Sequence, residues 1–213
     1  MKAIPKRTLL VTCIIILLPM FFGLALWNRL PERMPTHFDF SGTADDYSGR
    51  PFAVIGLPLF ILAMQLFCAV MLRADPKKQN ISEKMAQLVL WLCPAVSLFV
   101  GISMYLSALG FAINVSRLGM VFVGLIFIVI GNYLPKCRHN YTVGIRLPWT
   151  LDNEDNWNHT HRFAGYVWII AGVVTLLSVF LSHAAVVWVA AIFVASLSPL
   201  VYSFLYARRH GKI

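Results

Sequence analysis

The sequence has 213 residues, of which 59% are hydrophobic and only 13% are charged, with a formal net charge of +9. This composition excludes a water-soluble globular domain, because such a domain carries about twice this fraction of charged residues. A hydrophobic segment of about 20 residues crosses the hydrocarbon core of a bilayer. Stretches free of Asp, Glu, Lys and Arg therefore indicate the architecture.

Five stretches of the sequence lack these charged residues, and their lengths predict six membrane helices. The third stretch is long enough for one helix and a connection, and the fifth is long enough for two helices. The predicted fold class is an all-α integral membrane protein with six transmembrane helices. These helices are expected near residues 8–28, 52–73, 83–107, 117–135, 160–182 and 184–207.

Lys and Arg are distributed unequally between the two sides of this arrangement. Fourteen lie on the side of the N-terminus and four on the other side. Because cytosolic loops carry the excess of Lys and Arg, the sequence predicts that both termini are cytosolic, with a structured extracellular 1–2 loop and a long cytosolic 4–5 loop. The same bias favours contact with the lipid bilayer and accounts for the net charge, so no direct nucleic-acid partner is predicted.

The loop between helices 1 and 2 alternates polar and apolar residues from His37 to Phe40 and then contains the turn pair Ser41-Gly42. This pattern predicts a short extended or hairpin cap over the helices. The cap is either a structured connector or an extracellular recognition surface. The candidate residues of such a surface are His37, Phe38, Asp39 and Asp45.

Polar and small residues in the next helices indicate how the helices pack. Gln65 is expected to hydrogen-bond a neighbouring helix, and Gly124 indicates close packing of helix 4. The loop at residues 73–84 is expected to be a solvated basic turn in which Asn80 and Glu83 form a capping box for helix 3. No predicted helix has Asp, Glu, Lys or Arg at bilayer depth, which argues against an ion-coupled transporter.

The segment between helices 4 and 5, residues 131–162, holds much of the unusual chemistry of the chain. Apolar residues alternate with polar ones over residues 143–151, which predicts an extended strip. Pro148 is expected to exclude a helix in this strip. Helix 5 is expected to be capped by Thr150 or Asp152.

Histidine and cysteine residues in this segment raise the question of metal binding. Cys137, His139, His159 and His161 are suitable ligand types, but their C-x-H and H-x-H spacings are not those of structural zinc sites. The sequence also lacks the GxSxG and HExxH patterns of hydrolases and metalloproteases. We therefore predict no metal, no cofactor and no enzyme activity.

The same segment resembles the core motif of the SdpI/YfhL family of bacterial membrane proteins. The distinctive part is Gly-Ile-Arg at residues 144–146 followed by Pro-Trp-Thr at residues 148–150. The loop from Pro31 to Gly42 resembles DUF1648, a small membrane domain often fused to the N-terminus of such proteins. The resemblance gives as binding candidates in the cytosolic segment Asn132, Asn140, Gly144, Arg146, Pro148, Trp149, Thr150, Trp157, His161 and Arg162.

The resemblance implies an immunity or signal-transduction protein of the bacterial cytoplasmic membrane. Such a protein binds or neutralises a secreted membrane-active peptide toxin, and it holds a small transcriptional repressor at the cytosolic face. We expect a DUF1648-like region at residues 1–80 and an SdpI-like region at residues 81–213.

A transporter or enzyme that acts on a lipid or small amphiphile at the cytosolic interface is the alternative function. A closed polar pocket at which Asn132, Asn140, Arg146 and His161 converge would favour this alternative, whereas a flat strip would not.

Overall fold

The computed structural model describes residues 6–210, and within them the chain forms seven α-helices and one β-hairpin. The strands of the hairpin are β1 (Arg33–Phe38) and β2 (Ala44–Gly49). A π-helical turn, Phe52–Gly56, leads into the second helix. The helices are α1 (Lys6–Ala25), α2 (Leu57–Ala74), α3 (Glu83–Ala108), α4 (Val115–Tyr133), α5 (Pro148–Asp152), α6 (Glu154–Ser178) and α7 (Ala184–Arg209).

Six helical segments of the described residues are long and apolar enough to cross a membrane, which confirms a mostly helical membrane protein. The largest difference from the predicted boundaries is at the fifth segment, which begins at Glu154 rather than near residue 160. The Asn153 side chain caps this helix by accepting a hydrogen bond from the Asn156 amide at 3.0 Å. The expected cap at Thr150 or Asp152 was wrong.

The chain packs into two compact units, each with its own contacts. Within the described residues, the hairpin unit comprises residues 6–73 and 86–118, and the motif unit comprises residues 74–85 and 119–210. These units follow packing, whereas the expected division near residue 80 follows sequence resemblance. That division stays a prediction.

The hairpin unit carries the β-hairpin on an apolar cluster. β1 and β2 are antiparallel, with Arg33 opposite Gly49 and an irregular register near His37. Met34 of β1 is fully buried and packs in a cluster with Val54, Met104 and residues around them. The predicted hairpin is thus part of the packed structure rather than a free loop.

A buried glutamine connects three membrane segments of the hairpin unit. The Gln65 amide nitrogen donates to the Thr12 hydroxyl oxygen at 2.7 Å and to the Leu90 carbonyl oxygen at 3.0 Å. These bonds confirm the interhelical role predicted for Gln65. An amide at this depth needs such partners because lipid offers none.

Paired glycines bring α4 and α6 close together in the motif unit. A Cβ on Gly124 would contact the carbonyl of Gly172, and a Cβ on Gly131 would contact the carbonyl of Gly165. The two glycines of α4 are seven residues apart, and so are the two glycines of α6. The two antiparallel helices therefore touch along one line of glycines. The close packing predicted at Gly124 is confirmed.

Candidate functional site

Asn140 organises the turn at residues 137–147 of the motif unit. Its amide oxygen accepts the backbone N–H groups of Thr142 at 2.9 Å and Val143 at 2.7 Å. Its amide nitrogen donates to the carbonyls of Arg138 at 2.8 Å and Val143 at 3.0 Å. Both ends of the side-chain amide are bonded to backbone groups of the turn, so Asn140 orders the turn, and a binding role for it stays a prediction.

Asp75 anchors this turn from the connection between α2 and α3. Its Oδ2 accepts the Tyr141 N–H at 2.9 Å and the Thr142 hydroxyl at 2.6 Å, and its Oδ1 accepts the Lys77 N–H at 2.7 Å. Asp75 is a buried residue, only 4% exposed. The expectation of a solvated basic turn is therefore wrong at Asp75.

Two further residues of the same connection contact His139. The Asn80 amide donates to the His139 carbonyl at 2.7 Å, and Lys77 Nζ donates to His139 Nδ1 at 3.0 Å. The residue that caps α3 is Ser82, whose hydroxyl accepts the Met85 N–H at 3.2 Å. The predicted capping box of Asn80 and Glu83 was wrong.

Trp157 and His161 form the buried wall behind the turn. The Trp157 indole N–H donates to the Cys137 carbonyl at 2.7 Å, and its ring stacks on His161 with centroids 4.1 Å apart. His161 Nε2 accepts the Ile145 N–H at 2.9 Å, while its Nδ1 bonds the Trp157 carbonyl at 2.8 Å. Gly144 lies against the rings of Trp157 and His161, and its backbone has a φ of +116°.

The short helix α5 corrects the extended strip predicted over residues 143–151. Pro148 occupies its first position, where a fixed φ and a missing N–H suit a helix start. The Thr150 hydroxyl accepts the Leu147 N–H at 2.8 Å and lies 2.9 Å from the Ile145 carbonyl. Thr150 is therefore a buried structural residue.

A polar network attaches α5 and α6 to α7. The Trp149 indole N–H donates to the Ser203 hydroxyl at 2.7 Å. Asn156 accepts from Ser203 at 3.1 Å and from the Thr160 hydroxyl at 2.8 Å, and it donates to the Ser203 carbonyl at 3.0 Å. A fully bonded network of this kind fixes the positions of the helices that share it.

The remaining candidates of the segment have exposed side chains. Asn132 accepts a long bond from Lys136 at 3.4 Å, and Arg146 donates to the Tyr141 carbonyl at 2.8 Å. Pro148 and Arg162 are also exposed. Asn140 and His161 are buried and bonded to backbone groups, whereas Asn132 and Arg146 are exposed, so a transporter or enzyme site at these four residues stays a prediction.

Cys137 is a buried thiol beside the turn. Burial raises its pKa to about 11, although a hydrogen bond from Asn140 acts in the opposite direction. Within residues 6–210, no group of three or more His, Cys, Asp or Glu side chains is placed to bind a metal ion.

The candidates of the β-hairpin remain at its surface. His37 Nδ1 pairs with Asp45 at 2.6 Å, and this bond, together with the charge of Asp45, raises the pKa of His37. Asp39 accepts the Ser41 hydroxyl at 2.7 Å and the Thr43 N–H at 2.9 Å, and these bonds lower its pKa. Phe38 is half-buried. The carboxylates of Asp39, in the turn, and Asp45, in β2, are exposed.

An apolar groove lies in the hairpin unit, between α1 and α3. The two helices touch where a Cβ on Gly101 would meet the Pro19 side chain, and the Tyr105 hydroxyl donates to the Pro19 carbonyl at 2.8 Å. Next to this contact is an open cavity of about 550 Å³. Its walls include Leu18, Phe22, Ile102, Tyr105, Leu109 and Phe111.

Sequence reasoning missed three residues outside segment 131–162 that hydrogen-bond to it, namely Asp75, Lys77 and Ser203. Asp75 precedes a proline, and Asp before such a turn often accepts the N–H two residues later, which was a usable signal. Nothing in the sequence pattern pointed to Ser203, because a lone serine on a membrane helix commonly bonds within its own helix.

The apolar spans and the hydrogen-bonded turn between α4 and α6 define a multi-pass membrane protein. Residues 136–206 match the model of the SdpI/YfhL protein family, and residues 14–62 match a domain of unknown function, DUF1648. The resemblance seen in the sequence is confirmed.

A curated protein is also similar to this chain. It is the Immunity protein SdpI of Bacillus subtilis (strain 168), with 27% identity over 173 residues, or 80% of this chain and 81% of the relative. No solved structure shows a significant match.

Proposed function

We propose that this protein confers immunity to a membrane-active peptide in the cytoplasmic membrane of a bacterium. The observation that carries the proposal is the similarity to the Immunity protein SdpI, which extends over 80% of this chain. The six apolar spans support a protein that acts within the bilayer. We infer that both termini are cytosolic, from the excess of Lys and Arg on their side.

The apolar groove of the hairpin unit is the proposed site for the peptide. Asn114 donates to the Ser41 carbonyl at 3.1 Å, so the hairpin turn lies beside the connection that contains Phe111 of the groove. The exposed carboxylates Asp39 and Asp45 belong to this hairpin. An apolar groove near acidic side chains fits a peptide with an apolar face and cationic residues.

The test is protection of cells that lack the chromosomal gene and carry the wild-type protein or a variant. Ile102→Trp fills the groove, whereas Ile170→Trp adds the same side chain to an exposed position of α6. Cells are challenged with a panel of membrane-active cationic peptides. Wild type and Ile170→Trp should protect against at least one peptide, and Ile102→Trp should not. Equal survival with and without the wild-type protein, for every peptide, would refute immunity.

A second proposed role is capture of a small repressor protein at the cytosolic face. The exposed side chains of Asn132, Arg146, Pro148 and Arg162 support it. Within residues 6–210, neither Arg146 nor Arg162 forms an ion pair with an Asp or Glu side chain. The experiment follows a fluorescent fusion of a small candidate repressor that is co-expressed with this protein. Arg146→Ala and Arg162→Ala should release it from the membrane while the membrane level of the protein stays normal.

A further inference from the structure

Two cations contact one exposed tyrosine in the motif unit, one at its ring and one at its backbone carbonyl. Lys77 Nζ lies 5.4 Å from the centre of the Tyr141 ring. Arg146 Nη1 donates to the Tyr141 carbonyl at 2.8 Å. Asp75 holds the Tyr141 N–H and the Lys77 N–H, so the carboxylate sets the positions of both residues.

Neither cation is neutralised by a carboxylate. Within residues 6–210, neither Lys77 nor Arg146 pairs with an Asp or Glu side chain. Their hydrogen-bond acceptors are the His139 ring nitrogen and the Tyr141 carbonyl. Each cation therefore keeps N–H donors available, since an ammonium has three and a guanidinium has five.

The position of these residues along the chain places them at the edge of the membrane. Lys77 lies between the spans that end at Ala74 and begin at Glu83. Tyr141 and Arg146 lie between the spans that end at Lys136 and begin at Glu154. Tyrosine is enriched at this depth, and lipid phosphates occupy the same layer. A guanidinium group can bind a phosphate through two parallel N–H···O hydrogen bonds.

We propose that Lys77 and Arg146, arranged around Tyr141, bind the phosphodiester of an anionic lipid headgroup such as that of phosphatidylglycerol. Asp75 is a positioning residue for this site. The inference goes beyond the proposed immunity function and does not depend on it, because headgroup binding requires neither a toxin nor a repressor.

The test measures binding of phosphatidylglycerol to the purified full chain in neutral detergent by native mass spectrometry. Lys77→Gln and Arg146→Gln should each weaken binding about fivefold, and the double variant about 25-fold, since one basic residue contributes about 1 kcal/mol at an anionic surface. Lys78→Gln and Arg138→Gln remove the same charge from neighbouring exposed positions. These control variants should change the affinity less than about twofold, because their side chains lie outside the site.

Two outcomes would overturn the proposal. Equal losses in the Lys78 and Arg138 variants would show diffuse attraction rather than a site. Binding of inorganic phosphate that depends on Lys77 and Arg146 and displaces the lipid would assign the site to a soluble anion.

A second measurement on the wild-type protein does not depend on the folding of variants. Phosphatidylglycerol should slow acetylation of Lys77, mapped by peptide mass spectrometry, without slowing acetylation of Lys78. Equal protection of both lysines, or protection of neither, would contradict the site. Asp75→Asn should lower the lipid affinity of the wild type but have little effect on the double variant, which distinguishes positioning from a general loss of structure.

Discussion

At the scale of single residues, the side chains that carry the family resemblance divide into structural and exposed groups. His161 illustrates the first group. An amide N–H can only donate and a carbonyl can only accept, so Nε2 of His161 must be unprotonated toward Ile145 and Nδ1 must carry the proton toward Trp157. A histidine committed to two backbone groups in this way orders the loop. Arg146 is the clearest member of the exposed group.

Gly144 is the residue whose replacement should disturb this wall most. A Cβ at Gly144 would collide with the His161 ring and approach Trp157, at a φ of +116° that strains any L side chain. Gly144→Ala should therefore destabilise the protein by about 3 kcal/mol or more. Thermal unfolding in detergent, followed by circular dichroism, measures the effect.

Gly110 offers the matched control for Gly144. It also has a positive φ, of +84°, but a Cβ there meets no atom within 4 Å. Gly110→Ala should cost only the backbone strain, about 1 to 2 kcal/mol. If both variants unfold at the same temperature, the clash of the added Cβ at residue 144 with His161 and Trp157 does not lower the stability of the protein.

Cys137 should be an unreactive thiol in the folded protein. Burial raises its pKa from 9.0 to about 11, and the nucleophile in alkylation is the thiolate. In a variant with Cys13, Cys68 and Cys93 replaced by Ala, alkylation of the folded protein should be slow near pH 8 and rise toward pH 11. The same chain unfolded in denaturant should react at the rate of an ordinary thiol.

The raised pKa of Cys137 also determines how its contribution to the folding stability changes with pH. The stabilisation from keeping the Cys137 thiol protonated is fully present below about pH 9 and is lost as the pH rises through about 11. Fast alkylation of the folded variant at pH 8 would show that the Cys137 thiol is accessible to the reagent, which would contradict its burial.

At the scale of elements, the β-hairpin contains a titratable pair on its surface. The hydrogen bond and charge of Asp45 raise the pKa of His37 above 6.5. The pair therefore stabilises the hairpin at pH values below the unfolded pKa, and this contribution is lost as the pH rises through the raised folded pKa. Asp45→Asn should return the pKa of His37 toward its ordinary value, measured by NMR titration of the imidazole ring in micelles.

Asp46→Asn is the control for this pair. Asp46 acts on His37 through its charge alone and more weakly than Asp45 does. The substitution should lower the pKa of His37 less than Asp45→Asn does. Equal effects of the two substitutions would mean that no specific bond joins His37 and Asp45.

The long helices could be predicted from the sequence, whereas the connections between them could not. An apolar run is a local property, so the membrane spans followed directly from hydropathy. The start of α5 depends on Pro148 fitting a first helical position, and a period-two pattern over nine residues concealed this. Asp75 and Asn80 were assigned to solvent and to a cap because their partners, Thr142 and His139, lie more than fifty residues away in the sequence. Contacts across such distances carry no local pattern.

At the scale of the whole molecule, each of the two family matches falls within a different packing unit. Residues 14–62 lie within the hairpin unit, and residues 136–206 lie within the motif unit. Each match therefore covers a part of the chain with its own internal packing. The proposed peptide groove belongs to the first unit, and the proposed headgroup and repressor surfaces belong to the second. We therefore expect a substitution in the hairpin unit to change protection against the peptide, and a substitution in the motif unit to change binding of the headgroup or the repressor.

The orientation of the chain determines which of these surfaces a secreted peptide can reach. If the six candidate spans all cross the membrane, both termini lie on one side, and we propose from the excess of Lys and Arg that this side is the cytosol. In a chain without native cysteines, Thr43→Cys in the hairpin turn should react with a membrane-impermeant maleimide in intact cells. Lys78→Cys, in the connection between α2 and α3, should react only after the membrane is permeabilised.

A permeant maleimide provides the control for this experiment, because it should label both positions in intact cells. Thr43 and Lys78 are both exposed, so burial does not explain a difference between them. The reverse labelling pattern would place the acidic hairpin in the cytosol. The hairpin could then not meet a peptide that arrives from outside, and the peptide would have to enter the groove from within the bilayer.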